Sequence, residues 1–136
     1  MATFNKFNSF SADILKAVHN FTSDSTCTIM VALTSVAPIA TNSVLADLTQ
    51  ISYTNLSSRV VTGVSVSSVG GIATLNASDL TLTASGAVAS FQYVVFYNDD
   101  SASKSLIGYW DYGSAVTMSA SQTFLIQLPT EILTIE

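Results

Sequence analysis

Charge is what this chain has least of. Only 10% of its 136 residues are Asp, Glu, Lys or Arg, against about 25% in an average domain. The four basic residues, Lys6, Lys16, Arg59 and Lys104, are scattered and the net charge is −5. No patch can neutralise several phosphates at once, which argues against nucleic acid as a partner. The missing Lys/Arg clusters also argue against an anionic membrane surface. With one cysteine, Cys27, and one histidine, His19, the sequence offers no intrachain disulfide and no Cys- or His-rich metal site. No run approaches 18 apolar residues, so no transmembrane span is expected. The start, "MATFNKFNSF", lacks a basic region followed by an apolar one, so no signal peptide is expected.

Catalytic patterns are missing as well. His19 is the only candidate base for a Ser or Cys nucleophile, and "GVSVS" at 63–67 lacks the second glycine of a nucleophile elbow. Asp99 and Asp100 are neighbours in a loop, where such pairs ordinarily hydrogen-bond the turn. The reading is of a protein that is not an enzyme, with no cofactor, no metal and no small-molecule substrate.

What is present is apolar and hydroxyl-rich. Hydrophobic residues make up 49%, and Ser and Thr together number 37 (21 Ser and 16 Thr). A hydroxyl-covered surface costs less to dehydrate than an ionic one, which favours packing against other protein. The length fits one domain, residues 1–136, able to bury roughly two thirds of its unfolded surface without a staple.

One helix is expected over 8–21, "NSFSADILKAVHNF", because Phe7, Phe10, Ile14, Val18 and Phe21 recur at spacings of three and four. His19 falls near its C-terminal end, where an imidazolium would complement the helix dipole. From there the period becomes two, and strands are expected over 26–34, 58–67, 71–76, 79–84, 88–98, 104–111, 115–119, 122–128 and 131–135. Cys27 alternates with Ile29, Val31 and Leu33, as a buried thiol in the first of these strands would. Turn residues separate most strands, notably Gly70-Gly71. The segment 35–49 is irregular and holds Pro38; a short helical turn or an edge strand both fit it. The fold expected is mainly β: an antiparallel β-sandwich, jelly-roll-like or Ig-like, of about nine short strands over 26–135 with one N-terminal amphipathic helix.

The most aromatic window is 91–113, "FQYVVFYNDDSASKSLIGYWDYG". Folded as a hairpin around residues 99–103, it pairs Val95 with Ile107, Tyr93 with Tyr109, Phe96 with Leu106 and Gln92 with Trp110. One face then carries Val94, Phe96, Leu106 and Trp110, an ordinary core. The other carries Phe91, Tyr93, Val95, Tyr97, Ile107, Tyr109 and Asp111, apolar in body with polar tips. Two coverings are open: the N-terminal helix, or another subunit, since tyrosine is enriched in protein interfaces. The candidate interface residues are Phe91, Tyr93, Tyr97, Tyr109 and Asp111. A carbohydrate platform is a third use of such a stripe, but the only tryptophan points to the other face.

Four stretches, "FNSFSADILKAVHNF", "VALTSVAPIATNSVLADLTQI", "FQYVVFYND" and "LIGYWDYGSAVTM", resemble a family of small virion structural proteins of tailed bacteriophages. The likeness covers most of the chain and is weakest over 55–85. It implies a capsid decoration or cement protein that forms a homotrimer, binds the major capsid protein, is made in the host cytoplasm and resides on the capsid surface of the virion. It carries no catalytic residue over. A tail or head–tail component is the rival within that class, and a carbohydrate-binding β-sandwich for host attachment the rival outside it.

Overall fold

Val88 to Asn98 and Leu106 to Met118 form the two longest strands of the chain, and the rest of the structure is laid against them. The computed structural model describes residues 3–22 and 27–136, so the expected strand start at residue 26 lies outside the described residues. The elements in chain order are β1 (Phe4–Lys6), α1 (Ser9–Leu15), β2 (Ile29–Thr34), β3 (Val60–Val61), β4 (Ser65–Val69), β5 (Ile72–Asn76), β6 (Leu80–Thr83), β7 (Val88–Asn98), β8 (Leu106–Met118), β9 (Thr123–Ile126) and β10 (Leu133–Ile135). The protein is mainly β, its paired strands are all antiparallel, and it carries one α-helix.

Five strands form the main sheet in the order β1-β8-β7-β2-β3; β10-β5-β4 and β6-β9 form two smaller sheets. The principal core lies where one face of the main sheet meets side chains of both small sheets. Val31, Leu33, Val94, Phe96, Ile107 and Trp110 come from the first, Leu75, Leu82 and Ile126 from the others. Rings knit the centre: Trp110 stands edge-on to Phe96 at 4.8 Å, and Phe4 tilts against Trp110 at 4.7 Å.

Alternation in the sequence places β7 at its observed bounds and fixes most of its inner face, since period two is what a pleated strand presents. It misplaces side chains wherever the ladder is irregular. Register slips occur between Phe96 and Tyr97 and between Phe91 and Tyr93, and each bulge reverses the inside–outside assignment beyond it. Leu106 therefore lies on the second face and Ile107 in the principal core, the reverse of the expectation. The observed partners are Val95 with Tyr109, Val94 with Trp110 and Tyr93 with Asp111, two residues along from the expected register. The connection is longer than 99–103 because Ser101 and Lys104 form a turn of their own, Lys104 donating its amide to Ser101 and adopting φ +52°.

Gly108 sits at this irregularity. A Cβ there would lie 2.1 Å from the Phe4 ring and 2.7 Å from the Asn5 carbonyl, so the close approach of β1 to β8 requires glycine. Expected strands 104–111 and 115–119 are one strand, β8, bent at Gly113 with φ +79° instead of broken. Expected strand 58–67 is divided between β3 and β4, with Gly63 at φ +66° between them.

The helix is shorter than the expected 8–21. It stops at Leu15 because Ala17 turns left-handed, φ 58°, while the Ala17 amide bonds the Ile14 carbonyl and the Val18 amide bonds that of Asp13. This double closure is a Schellman cap made with alanine where glycine is usual. His19 consequently lies past the helix, not on its last turn. It is 7% exposed and stacks between Phe10 at 5.4 Å and Phe21 at 5.5 Å.

Candidate interaction surfaces

The second face of the main sheet holds Ala32, Val95, Tyr97 and Leu106, flanked by Met30 and Tyr109. Within the chain its cover is residues 35–51 together with Phe7, and not the helix. After Thr34 this segment leaves the β2 edge and reaches the start of β8, where the Leu106 amide bonds the Ser43 carbonyl and the Leu45 amide bonds the Lys104 carbonyl. It then returns to β2, where Gln50 bridges Thr34 and the Ile51 amide bonds the Leu33 carbonyl. Leu45 and Leu48 press onto the sheet on the way, and Pro38 is buried.

The strap holds its shape through local polar bonds. Asp47 accepts the amides of Ser43 at 2.8 Å and Val44 at 3.2 Å around a single 3-10 turn, Leu45–Asp47, and these amides hold its carboxyl below the usual range. The return end is pinned by Tyr53. Its hydroxyl donates to Gln50 at 2.6 Å and accepts the Leu33 amide at 3.0 Å, while the Arg59 guanidinium lies 3.6 Å over its ring. Of the helical apolar set, Phe7 alone reaches this face, fully buried and 5.2 Å from the Tyr109 ring. Phe10 and Phe21 are in the principal core and Ile14 packs against it.

The five candidate interface residues therefore separate. Phe91 is corrected: it is 0% exposed and stands edge-on to Phe124 at 5.4 Å in the principal core, carried there by the bulge before Tyr93. Tyr97 is 3% exposed, its hydroxyl 3.7 Å from the Met30 sulfur under the strap. Tyr93 and Tyr109 are half-buried and Asp111 is exposed. These last three stay together at the uncovered end of the face, where Asp111 pairs with Tyr93 across the ladder and accepts the Gln92 side-chain amide at 2.9 Å. That bond, then one from the Gly113 amide, holds the Asp111 carboxyl below its usual range. The stripe is thus reduced from a sheet-wide surface to one corner.

Polar groups elsewhere are occupied structurally. Asp99 forms an ion pair with Lys104 at 2.6 Å, and Asp100 accepts the Thr28 amide, as loop aspartates ordinarily do. Cys27 is half-buried just before β2 rather than within it, and burial pushes its thiol up. Among the described residues no three His, Cys, Asp or Glu side chains converge as metal ligands, and no helix is long and apolar enough to cross a membrane.

A surface the sequence reading did not single out lies on one of the smaller sheets. On the outer face of the β10-β5-β4 sheet, the paired Val69 and Ile72 are 80% and 42% exposed, while Val66, 48% exposed, lies on the other face opposite Leu75. Beside it an apolar groove of about 170 Å³ runs between α1 and the sheet, lined by Phe10, Ile14, Phe21, Val66, Leu75 and Ile135. No charged residue occurs from Val60 to Ser78, and that gap was the available signal. No family model matches the chain, and no curated protein or solved structure matches it.

Proposed function

We propose that this chain is a structural, non-catalytic protein of a tailed bacteriophage particle, of the decoration or cement kind, which associates with itself as a trimer and binds the major capsid protein. The observation that carries the reading is the uncharged outer face of 60–78, from which Val69 and Ile72 project as a cross-strand pair. Apolar side chains on a surface free of ions are dehydrated at low cost, and contact with protein is what recovers their burial. The likeness of the four quoted stretches to phage virion proteins supplies the kind of partner. A sheet held on both faces also suits a subunit that must present the same surface at many lattice positions.

The carbohydrate reading has less support. Trp110 is in the core and Tyr97 is covered, leaving Tyr93 and Tyr109 at one corner. The deciding experiment mixes purified protein with particles lacking it and follows co-sedimentation. Saturable binding at a fixed ratio to the major capsid protein is expected; no binding at any concentration overturns the proposal. Binding only to tail fractions would move it to the tail component.

A further inference from the structure

Strand β4, Ser65–Val69, ends its sheet: it pairs with β5 alone, and among the described residues no other backbone bond reaches it. The direction of its free groups follows from the hairpin. Val69 pairs with Ile72 across Gly70 and Gly71, at φ +59° and +83°, the two-residue turn whose flanking residues form a doubly bonded pair. Counting back by twos, Ser67 and Ser65 bond to β5, and the amide and carbonyl of Val66 and of Ser68 face outward. Edges of this kind are ordinarily blunted by charge, proline or brevity. Here β1 carries Lys6, β3 follows Arg59 and spans two residues, β10 is followed by Glu136, and Pro129 lies soon after β9. β4 reads Ser-Val-Ser-Ser-Val and has none of these.

We infer that β4 is a self-pairing edge, which joins two copies of this chain antiparallel about a twofold axis at Ser67 and makes one continuous six-stranded sheet. The register is what selects a second copy. Placing Ser67 opposite its own counterpart sets Val66 against the partner's Ser68 and Ser68 against the partner's Val66, so each outward amide meets an outward carbonyl in two doubly bonded pairs. On the outer face Val69 then meets the partner's Ser65. Two chains of net charge −5 repel overall, and the uncharged 60–78 surface lets them meet without opposing like charges. The contact is isologous and small, so it is weak between free chains and gains strength where copies are held side by side. It can join neighbouring rings if the copies also close a threefold.

Disulfide trapping tests this on the full chain in a Cys27→Ser background. Ser67→Cys places two thiols directly opposite at a non-hydrogen-bonded pair, about 4.5 Å between Cα atoms, within disulfide reach. Ser68→Cys places them diagonally, on the opposite face. Under mild oxidation Ser67→Cys is expected to form covalent dimer about tenfold faster than Ser68→Cys, since only the former meets the geometric requirement. Ser67→Lys, which puts two ammonium groups face to face, is expected to abolish concentration-dependent dimer in sedimentation equilibrium while leaving the melting temperature unchanged. Equal trapping at the two positions, or dimer that survives Ser67→Lys, overturns the inference. Both readouts use the isolated chain, so failure here is distinct from failure to bind a capsid.

Discussion

The main sheet and the β10-β5-β4 sheet share one core but are finished differently. The main sheet is covered on both faces, by the principal core on one and by Phe7 and the 35–51 strap on the other except at the Tyr93–Asp111 corner. The smaller sheet is closed on one face and leaves the other, with a free five-residue edge, to solvent. The first carries eight of the thirteen aromatic rings; the second has none, and is built of Ser, Thr, Asn and aliphatic side chains with no ion. Stability is concentrated in the aromatic sheet and the proposed self-association in the plain one, so substitutions in the two should separate the two properties.

The largest effect is expected at Phe7. Phe7→Ala removes a fully buried ring from under the strap and should cost about 3–5 kcal/mol in urea unfolding, with Tyr97 fluorescence changing as its cover loosens. A loss below about 1 kcal/mol would mean the second face is not sealed by the chain itself. Gly108→Ala comes next, because its Cβ must displace the Phe4 ring and meets the Asn5 carbonyl; about 1–3 kcal/mol should be lost.

His19 sharpens the comparison through pH. Asn98 donates its side-chain amide to the Val18 carbonyl at 3.0 Å and contacts His19 Nδ1 at 3.2 Å, while Nε2 is buried without a partner. A neutral ring whose Nδ1 accepts fits this; a protonated one sets N–H against N–H. Burial lowers the His19 pKa from 6.5, with Asp13 opposing. The unfolded chain therefore binds the proton first as pH falls: stability is full above about 6.5 and declines below it, until the lowered folded value is reached. His19→Phe should flatten that part of the melting-temperature profile, and an unchanged slope would assign the acid loss to other groups.

Smaller still, Ala17→Gly relieves a left-handed alanine and should add about 0.5–1 kcal/mol. Val69→Ser, on the open sheet, should stay within about 0.5 kcal/mol yet weaken self-association.

Period-two alternation made β7 and most of its inner face legible, and Gly70-Gly71 marked the hairpin that became β4-β5. Phe91, Leu106 and Ile107 were assigned to the wrong face because a bulge inverts the alternation without changing composition. The strap was unreadable for a different reason: 35–51 has no period of its own, and its position is set by bonds to Leu33, Lys104 and Leu106 far away in sequence. The helix was overextended since the apolar spacing continues through Val18 and Phe21 while the backbone reverses at Ala17. That β4 is an edge depends on which strands fail to pair with it, which no local pattern records.

Amide hydrogen exchange tests the contrast between the two sheets most directly. At low protein concentration the amides of Val94–Tyr97 in β7 should exchange only by global unfolding, while those of Val66 and Ser68 exchange rapidly and become protected as concentration rises. Val66 and Ser68 amides already protected in the dilute monomer, or β7 amides that exchange well before global unfolding, would contradict it.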